Sequence, residues 1–336
     1  MNREIVGLAA AMTLILTACR SVEERKMADV VPDYVFTYAE NQPEDYPTTQ
    51  GAYKFAELVK EKTGGKIEIL VDAGSALGDE KSVVEQLQFG GIDFTRASLS
   101  SLGDEIPKLN VLQLPYLYTG SEHMWKVLEG EIGDEFLEAF EGLDLVALSW
   151  YDAGARSFYN SVKPIEKLED FQGMNIRVQE SELMVDMVEA LGANGVPLTY
   201  TSVYSALQTG EIDGAENNWP SFESMNHYEV AKYFTIDEHT RVPEVQLVAQ
   251  STWDKLTPEY QAIIRECAQE SAKYERILWE QREKASEEKV RAAGCQVSEL
   301  SAEEKKRFQE AVAPLYEKYC WEYVDLIDKI VAAGRE

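Results

Sequence analysis

The chain has 336 residues and a formal net charge of −28, with 45% hydrophobic and 27% charged residues. That balance excludes wholesale disorder, and the length suggests two domains of roughly 150 residues each. The acidic excess excludes a nucleic-acid partner, because phosphate binding needs a basic face. Four cysteines and three histidines support neither a disulfide framework nor a histidine-rich metal site.

In chain order, Arg3 precedes an apolar run from Ile5 to Leu16. The run is too short to span a bilayer, which takes about 20 residues. It ends in Leu16-Thr17-Ala18-Cys19, with small residues ahead of a cleavage point. A Cys directly after Leu-Thr-Ala resembles the bacterial lipobox, whose thiol is acylated. The expectation is a lipoprotein signal peptide over 1–18, lipidation at Cys19 and a tether over 19–31. A plain signal peptide with an incidental Cys is the alternative.

Tyr34 to Ala39 reads as a buried strand, followed by a polar loop from Glu40 to Thr49 that holds Pro43 and Pro47. Apolar spacing predicts a helix over 51–63 ending at Gly64-Gly65, then an alternating strand over 66–71. Gly78-Asp79 caps a helix running to Gly90, and Ile92-Asp93-Phe94 opens a third strand. A strand over 146–150 and helices over 181–191 and 204–209 continue the alternation. This is the pattern of an α/β protein with mostly parallel sheets.

The last third reads differently. Thr257 is an N-cap with Pro258 at the first helical position. No Pro or Gly interrupts 259–293. A helix near 35 residues would be about 50 Å long, enough to brace two domains. Ser301 to Glu304 looks like a capping box, and Pro314 offsets the next element, 316–333. Beyond Cys19 the thiols are Cys267, Cys295 and Cys320, an odd number; a Cys295–Cys320 bridge is left open.

Leu87-Gln88-Phe89-Gly90-Gly91-Ile92-Asp93 recurs in pattern as Leu207-Gln208-Thr209-Gly210-Glu211-Ile212-Asp213. It is either a common helix–strand connection, with Gly in the left-handed position, or a sign of two lobes of similar build. Lobes of that kind would share a cleft beyond their strand ends. Nucleotide, zincin and P-loop motifs are absent; Gly64-Gly65-Lys66 lacks the required spacing. Arg96, Arg156 and Arg177 each fall at or just past a strand, where a planar guanidinium can fork onto a carboxylate. Glu216-Asn217-Asn218-Trp219-Pro220 supplies amides and an aromatic face suited to a hydroxylated ligand.

Several runs together resemble the substrate-binding receptors of tripartite ATP-independent periplasmic (TRAP) transporters, of the dicarboxylate-receptor type. They are Leu77-Gly78-Asp79-Glu80, Gly154-Ala155-Arg156-Ser157-Phe158, residues 168–177 ending in Gly173-Met174-Asn175-Ile176-Arg177, and residues 203–217 ending in Gly214-Ala215-Glu216-Asn217. The match covers nearly all of the chain beyond Cys19. The resemblance implies a two-lobed, periplasmic-binding-protein-like fold with a ligand cleft between the lobes and a long bracing C-terminal helix. Lobe I is expected over 32–153 and 243–280, lobe II over 154–242 and 281–336, with the crossings near 152–155 and 240–243. It implies that Arg177 forks onto a ligand carboxylate, with Asn217 in support and Arg156 and Glu80 at the cleft. Arg96, Gln179, Asn218 and Trp219 complete the expected site.

Arg177 to Ser181 and Glu216 to Ser221 look most like receptors for sugar acids, hexuronates above all. The expected protein is an extracytoplasmic, lipid-anchored receptor without cofactor or catalysis, delivering an organic acid to a membrane permease. A receptor for a four-carbon dicarboxylate is the nearest alternative, and a secreted glycan-processing enzyme is the alternative of a different class.

Overall fold

The computed structural model describes residues 30–335. Cys19, the apolar leader and the tether up to residue 29 lie outside the described residues. Among those described, no helix is long and apolar enough to cross a membrane.

Among the described residues, eleven strands form two sheets. They are β1 (Tyr34–Ala39), β2 (Ile67–Asp72), β3 (Phe94–Ser98), β4 (Leu145–Tyr151), β5 (Arg156–Asn160), β6 (Asn175–Val178), β7 (Asn194–Pro197), β8 (Gly214–Asn217), β9 (Tyr233–Thr240), β10 (Glu244–Ala249) and β11 (Gln296–Glu299). One sheet has the order β2-β1-β3-β10-β4; the other has β7-β6-β8-β5-β9 with β11 added at its edge. The orders correspond strand for strand. In each sheet the fourth strand runs antiparallel to its neighbours while the others are parallel. That fourth strand is the one on which the chain arrives from the other sheet: β5 after the crossing at 152–155, β10 after the crossing at 241–243. The repeated Leu-Gln-x-Gly-x-Ile-Asp unit therefore marks equivalent places in two lobes of the same build. Gly90 and Gly210 both adopt the left-handed conformation, with φ of 72° and 74°. Each unit's Asp then accepts a backbone N–H from the neighbouring strand: Asp93 from Thr37 at 2.9 Å, Asp213 from Asn175 at 2.8 Å.

The long helix spans Pro258–Ala292, and the Thr257 side chain caps Tyr260 N–H. Its apolar positions serve different regions in turn. Ile264, Cys267 and Ala268 enter the core beneath β1 and β2, Trp279 packs on Tyr46 and Ala153 at the crossing, and Val290 enters the core of the second sheet. Gly154, within the first crossing, has φ 60°, and a Cβ there would come within 2.8 Å of Trp279 Nε1. Only glycine combines that conformation with that approach.

Two readings differ from the structure, and one question left open is answered. The first helix begins at Pro47 rather than Gly51, because Pro47 occupies the first turn, where its missing N–H costs nothing. Residues 316–333 are not one element: a helix at Pro314–Cys320 and another at Val324–Ala333 are separated by a 3₁₀ turn. Cys267, Cys295 and Cys320 are buried free thiols, so no bridge joins Cys295 to Cys320. We propose that the lobes divide at the two crossings, with the long helix common to both. The final helix returns to the first lobe, where Ile330 O lies 2.7 Å from Nε2 of His123, in the helix Ser121–Leu128.

Candidate ligand-binding site

A cavity of about 380 Å³ lies between the lobes, lined from the C-terminal ends of β1, β3, β6 and β8. Arg96, Arg156, Arg177, Glu80, Gln179, Asn217 and Asn218 all line it; Trp219 does not.

The three arginines, alike in sequence, differ in what they face. Arg96 is ringed by acids: Nη1 donates to Glu80 Oε1 at 3.2 Å and to Glu244 Oε2 at 2.6 Å, and the same guanidinium pairs with Glu40 and Asn41. Arg156 forks onto both carboxylate oxygens of Glu216, donates to the Glu216 carbonyl at 2.9 Å, and reaches Asn217 Oδ1 at 3.0 Å. Both charges are thus spent inside the protein. Arg177 is 2% exposed and meets no carboxylate among the described residues. Its Nε and Nη2 donate to the carbonyl of Leu198, at 2.9 and 2.6 Å. The Nη1–Nη2 edge remains, with Nη1 making no hydrogen bond among the described residues. Burial pulls its pKa down, with Glu216 and Tyr159 opposing. A buried cation lacking a counter-charge is costly unless an anion joins it.

Neighbouring side chains are held in matching states. Burial raises Glu216, but Arg156 and His239 prevail and hold it at about 2. His239 sits between Asp237, 3.1 Å away, and Glu216, 3.3 Å away; these carboxylates overcome burial and raise it to about 9. Asn217 Oδ1 accepts from Arg156 and from Asn218 N–H, which leaves its amide NH₂ free for a ligand. Asn218 caps the helix Trp219–Ser224 through Ser221 N–H at 2.8 Å. On the opposite lobe, burial pushes Glu80 up to about 7 against the pull of Arg96, with Glu244 adding to the rise.

Trp219 corrects the expected aromatic wall. Asn218 ends the strand segment and starts a helix, so the next side chain turns inward, where its ring stacks on Phe234 at 3.7 Å between centroids. The aromatic rings of the cleft are Tyr46, Tyr200 and Trp279. None stands out in the sequence: Tyr46 is a loop residue before a proline, and Trp279 sits at an apolar helical position that reads as core. Four buried polar atoms without a partner also belong to lining residues: Thr48 Oγ1, Ser98 Oγ, Gln179 Oε1 and Trp279 Nε1. Unpaired buried polar groups in native proteins call for a partner, which a ligand in this cavity could supply to these side chains.

These protonation states carry a pH prediction. Burial beside Asp152 pushes Glu283 up to about 7, and burial raises Glu275 and Glu244 as well. A folded-state pKa above the unfolded one gives stability that is lost as pH rises through the folded value. Glu80 and Glu283 thus lose theirs between about 4.5 and 7, and His239 between about 6.5 and 9. Glu216, held low, loses its contribution only on acidification below about 4.5. Thermal melts are expected to show Tm highest near about pH 5 and falling to pH 9. A Tm that rises from pH 5 to 8 would contradict these assignments.

A family model described as bacterial extracellular solute-binding protein, family 7, matches residues 38–322. A solute-binding protein of Chromohalobacter salexigens is 39% identical over 284 residues, 84% of each chain. Among solved structures, a TRAP periplasmic solute-binding protein of Xanthobacter autotrophicus Py2 with bound β-D-galacturonate is 42% identical. Its TM-score is 0.86, and the match covers 88% of this chain and 99% of that one. One from Pseudomonas putida F1 with bound D-glucuronate is 41% identical at a TM-score of 0.86, covering 88% and 96%.

Proposed function

The chain belongs to the family 7 bacterial extracellular solute-binding proteins, and from that premise we propose that it binds a hexuronate, glucuronate or galacturonate, and delivers it unchanged to a TRAP permease. The observation that carries this reading is the unequal state of the three cleft arginines. A hexuronate has one carboxylate and several hydroxyls; a four-carbon dicarboxylate has two carboxylates and few hydroxyls. Arg177 offers one open guanidinium edge. Arg96 is already bonded through Nε, Nη1 and Nη2 to Glu40, Glu80, Glu244 and Asn41, so it has no open edge for a second ligand carboxylate. The same carboxylates accept hydrogen bonds from hydroxyls. The uronates bound by the solved relatives from X. autotrophicus and P. putida support the assignment.

Competition calorimetry tests it. Glucuronate or galacturonate is expected to bind at least roughly tenfold tighter than succinate or malate, a difference of about 1.4 kcal/mol. Succinate displacing galacturonate at equal concentration would assign the site to dicarboxylates, and turnover of an oligouronide would make the protein an enzyme.

We also propose that Cys19 carries a lipid anchor. Cys19→Ala is then expected to move the protein from the membrane fraction to the soluble fraction. Wild-type protein found wholly in the soluble fraction would contradict the anchor. A single acyl chain holds only marginally, so the anchor needs the several chains of a lipoprotein.

A further inference from the structure

A second, open cavity of about 530 Å³ adjoins the cleft, and Lys81, Asp104 and Glu180 line both. The outer cavity continues over Ser181, Glu182 and Tyr319. Ser181 is 2% exposed, and its Oγ has no hydrogen-bond partner. It occupies the N-cap position of the helix Glu182–Ala190 without capping it. The cap comes instead from the other lobe, where Asp104 Oδ1 accepts Glu182 N–H at 3.3 Å. Ser181 thus borders the outer cavity, and its hydroxyl keeps its bonding capacity unused.

The charges of this outer chamber select what can enter. Lys318 and Tyr319 both bind Asp186, which removes that lysine as a free cation. Lys81 remains, against Asp104, Glu180 and Glu182. Negative charge prevails, so a second uronate would be repelled, whereas sugar hydroxyls would find carboxylate acceptors and the Ser181 hydroxyl.

Resting on the uronate reading, we propose that cleft and outer chamber form a two-unit site. It takes a uronic acid joined by a glycosidic bond to a neutral sugar, with the carboxylate at Arg177 and the neutral unit beside Ser181 and Glu182. The free monosaccharide uronate fills the inner half alone.

Calorimetry with three ligands tests the proposal: glucuronate, an aldobiouronic acid (glucuronosyl-xylose) and digalacturonate. The aldobiouronic acid is expected to bind within about tenfold of glucuronate or tighter, and digalacturonate at least roughly a hundredfold weaker than the aldobiouronic acid. Ser181→Ala is expected to weaken the aldobiouronic acid roughly fivefold, the loss of one hydrogen bond, while glucuronate binding is unchanged. An aldobiouronic acid that binds more than a hundredfold weaker than glucuronate would overturn the two-unit site and leave the monosaccharide reading standing. Equal binding of digalacturonate and the aldobiouronic acid would overturn the charge argument, and a Ser181→Ala variant indifferent to both ligands would overturn the placement of the neutral unit. Failure of glucuronate itself to bind would overturn the uronate reading and this proposal with it.

Discussion

Arg177→Lys is expected to lose hexuronate binding nearly as completely as Arg177→Ala. Arg177 lines the cavity and already gives Nε and one Nη2 hydrogen to the Leu198 carbonyl, which leaves the edge between Nη1 and Nη2 for a ligand. A lysine ammonium cannot hold that carbonyl and also fork onto a carboxylate. The loss should be about 2–5 kcal/mol, or roughly 30-fold to several thousand-fold in affinity. Stability should move the other way or not at all, because the folded protein carries this guanidinium buried without a counter-charge. Calorimetry and a urea titration on the same variants separate the two effects. Wild-type affinity in Arg177→Lys would remove Arg177 from the carboxylate site.

Glu216→Ala has the opposite profile, with its largest effect on folding. It would leave two buried cations, Arg156 and the His239 imidazolium, without their shared carboxylate. Breaking a buried pair from one side costs about 3–5 kcal/mol, because the remaining charge is uncompensated. The double variant Arg156→Met, Glu216→Leu removes both charges and is expected to be less destabilised than Glu216→Ala alone. Urea unfolding of the two singles and the double checks this; strictly additive losses would mean that the pair is not the unit that matters. The double variant should still bind a hexuronate weakly, because the Arg156 guanidinium is already engaged by Glu216 and Asn217.

The scaffold was largely legible because its signals are local. Thr257-Pro258 starts the long helix where capping chemistry requires, and Asp79 caps the helix before β3. The repeated Leu-Gln-x-Gly-x-Ile-Asp unit reports a left-handed glycine and an Asp that ties neighbouring strands together, and so marks equivalent positions in the two lobes. The site was legible in membership and not in state. Sequence places Arg96, Arg156 and Arg177 at strand ends with equal claims on a ligand. What separates them is partners brought from far along the chain: Glu40 and Glu244 to Arg96, Glu216 to Arg156, and only a backbone carbonyl to Arg177. Trp219 misled because a proline-containing helix start reverses the direction of its side chain. Trp279 was hidden because an aromatic facing the crossing in a long helix has the same spacing as one facing a core.

A crystal structure of the protein with galacturonate tests the central claim most directly. The account predicts both carboxylate oxygens within about 2.7–2.9 Å of the Arg177 guanidinium, sugar hydroxyls on Glu80 and Gln179, and the Arg96–Glu244 and Arg156–Glu216 pairs intact. A ligand carboxylate seated on Arg96 or Arg156, with either of those pairs broken and Arg177 left bare, would contradict it.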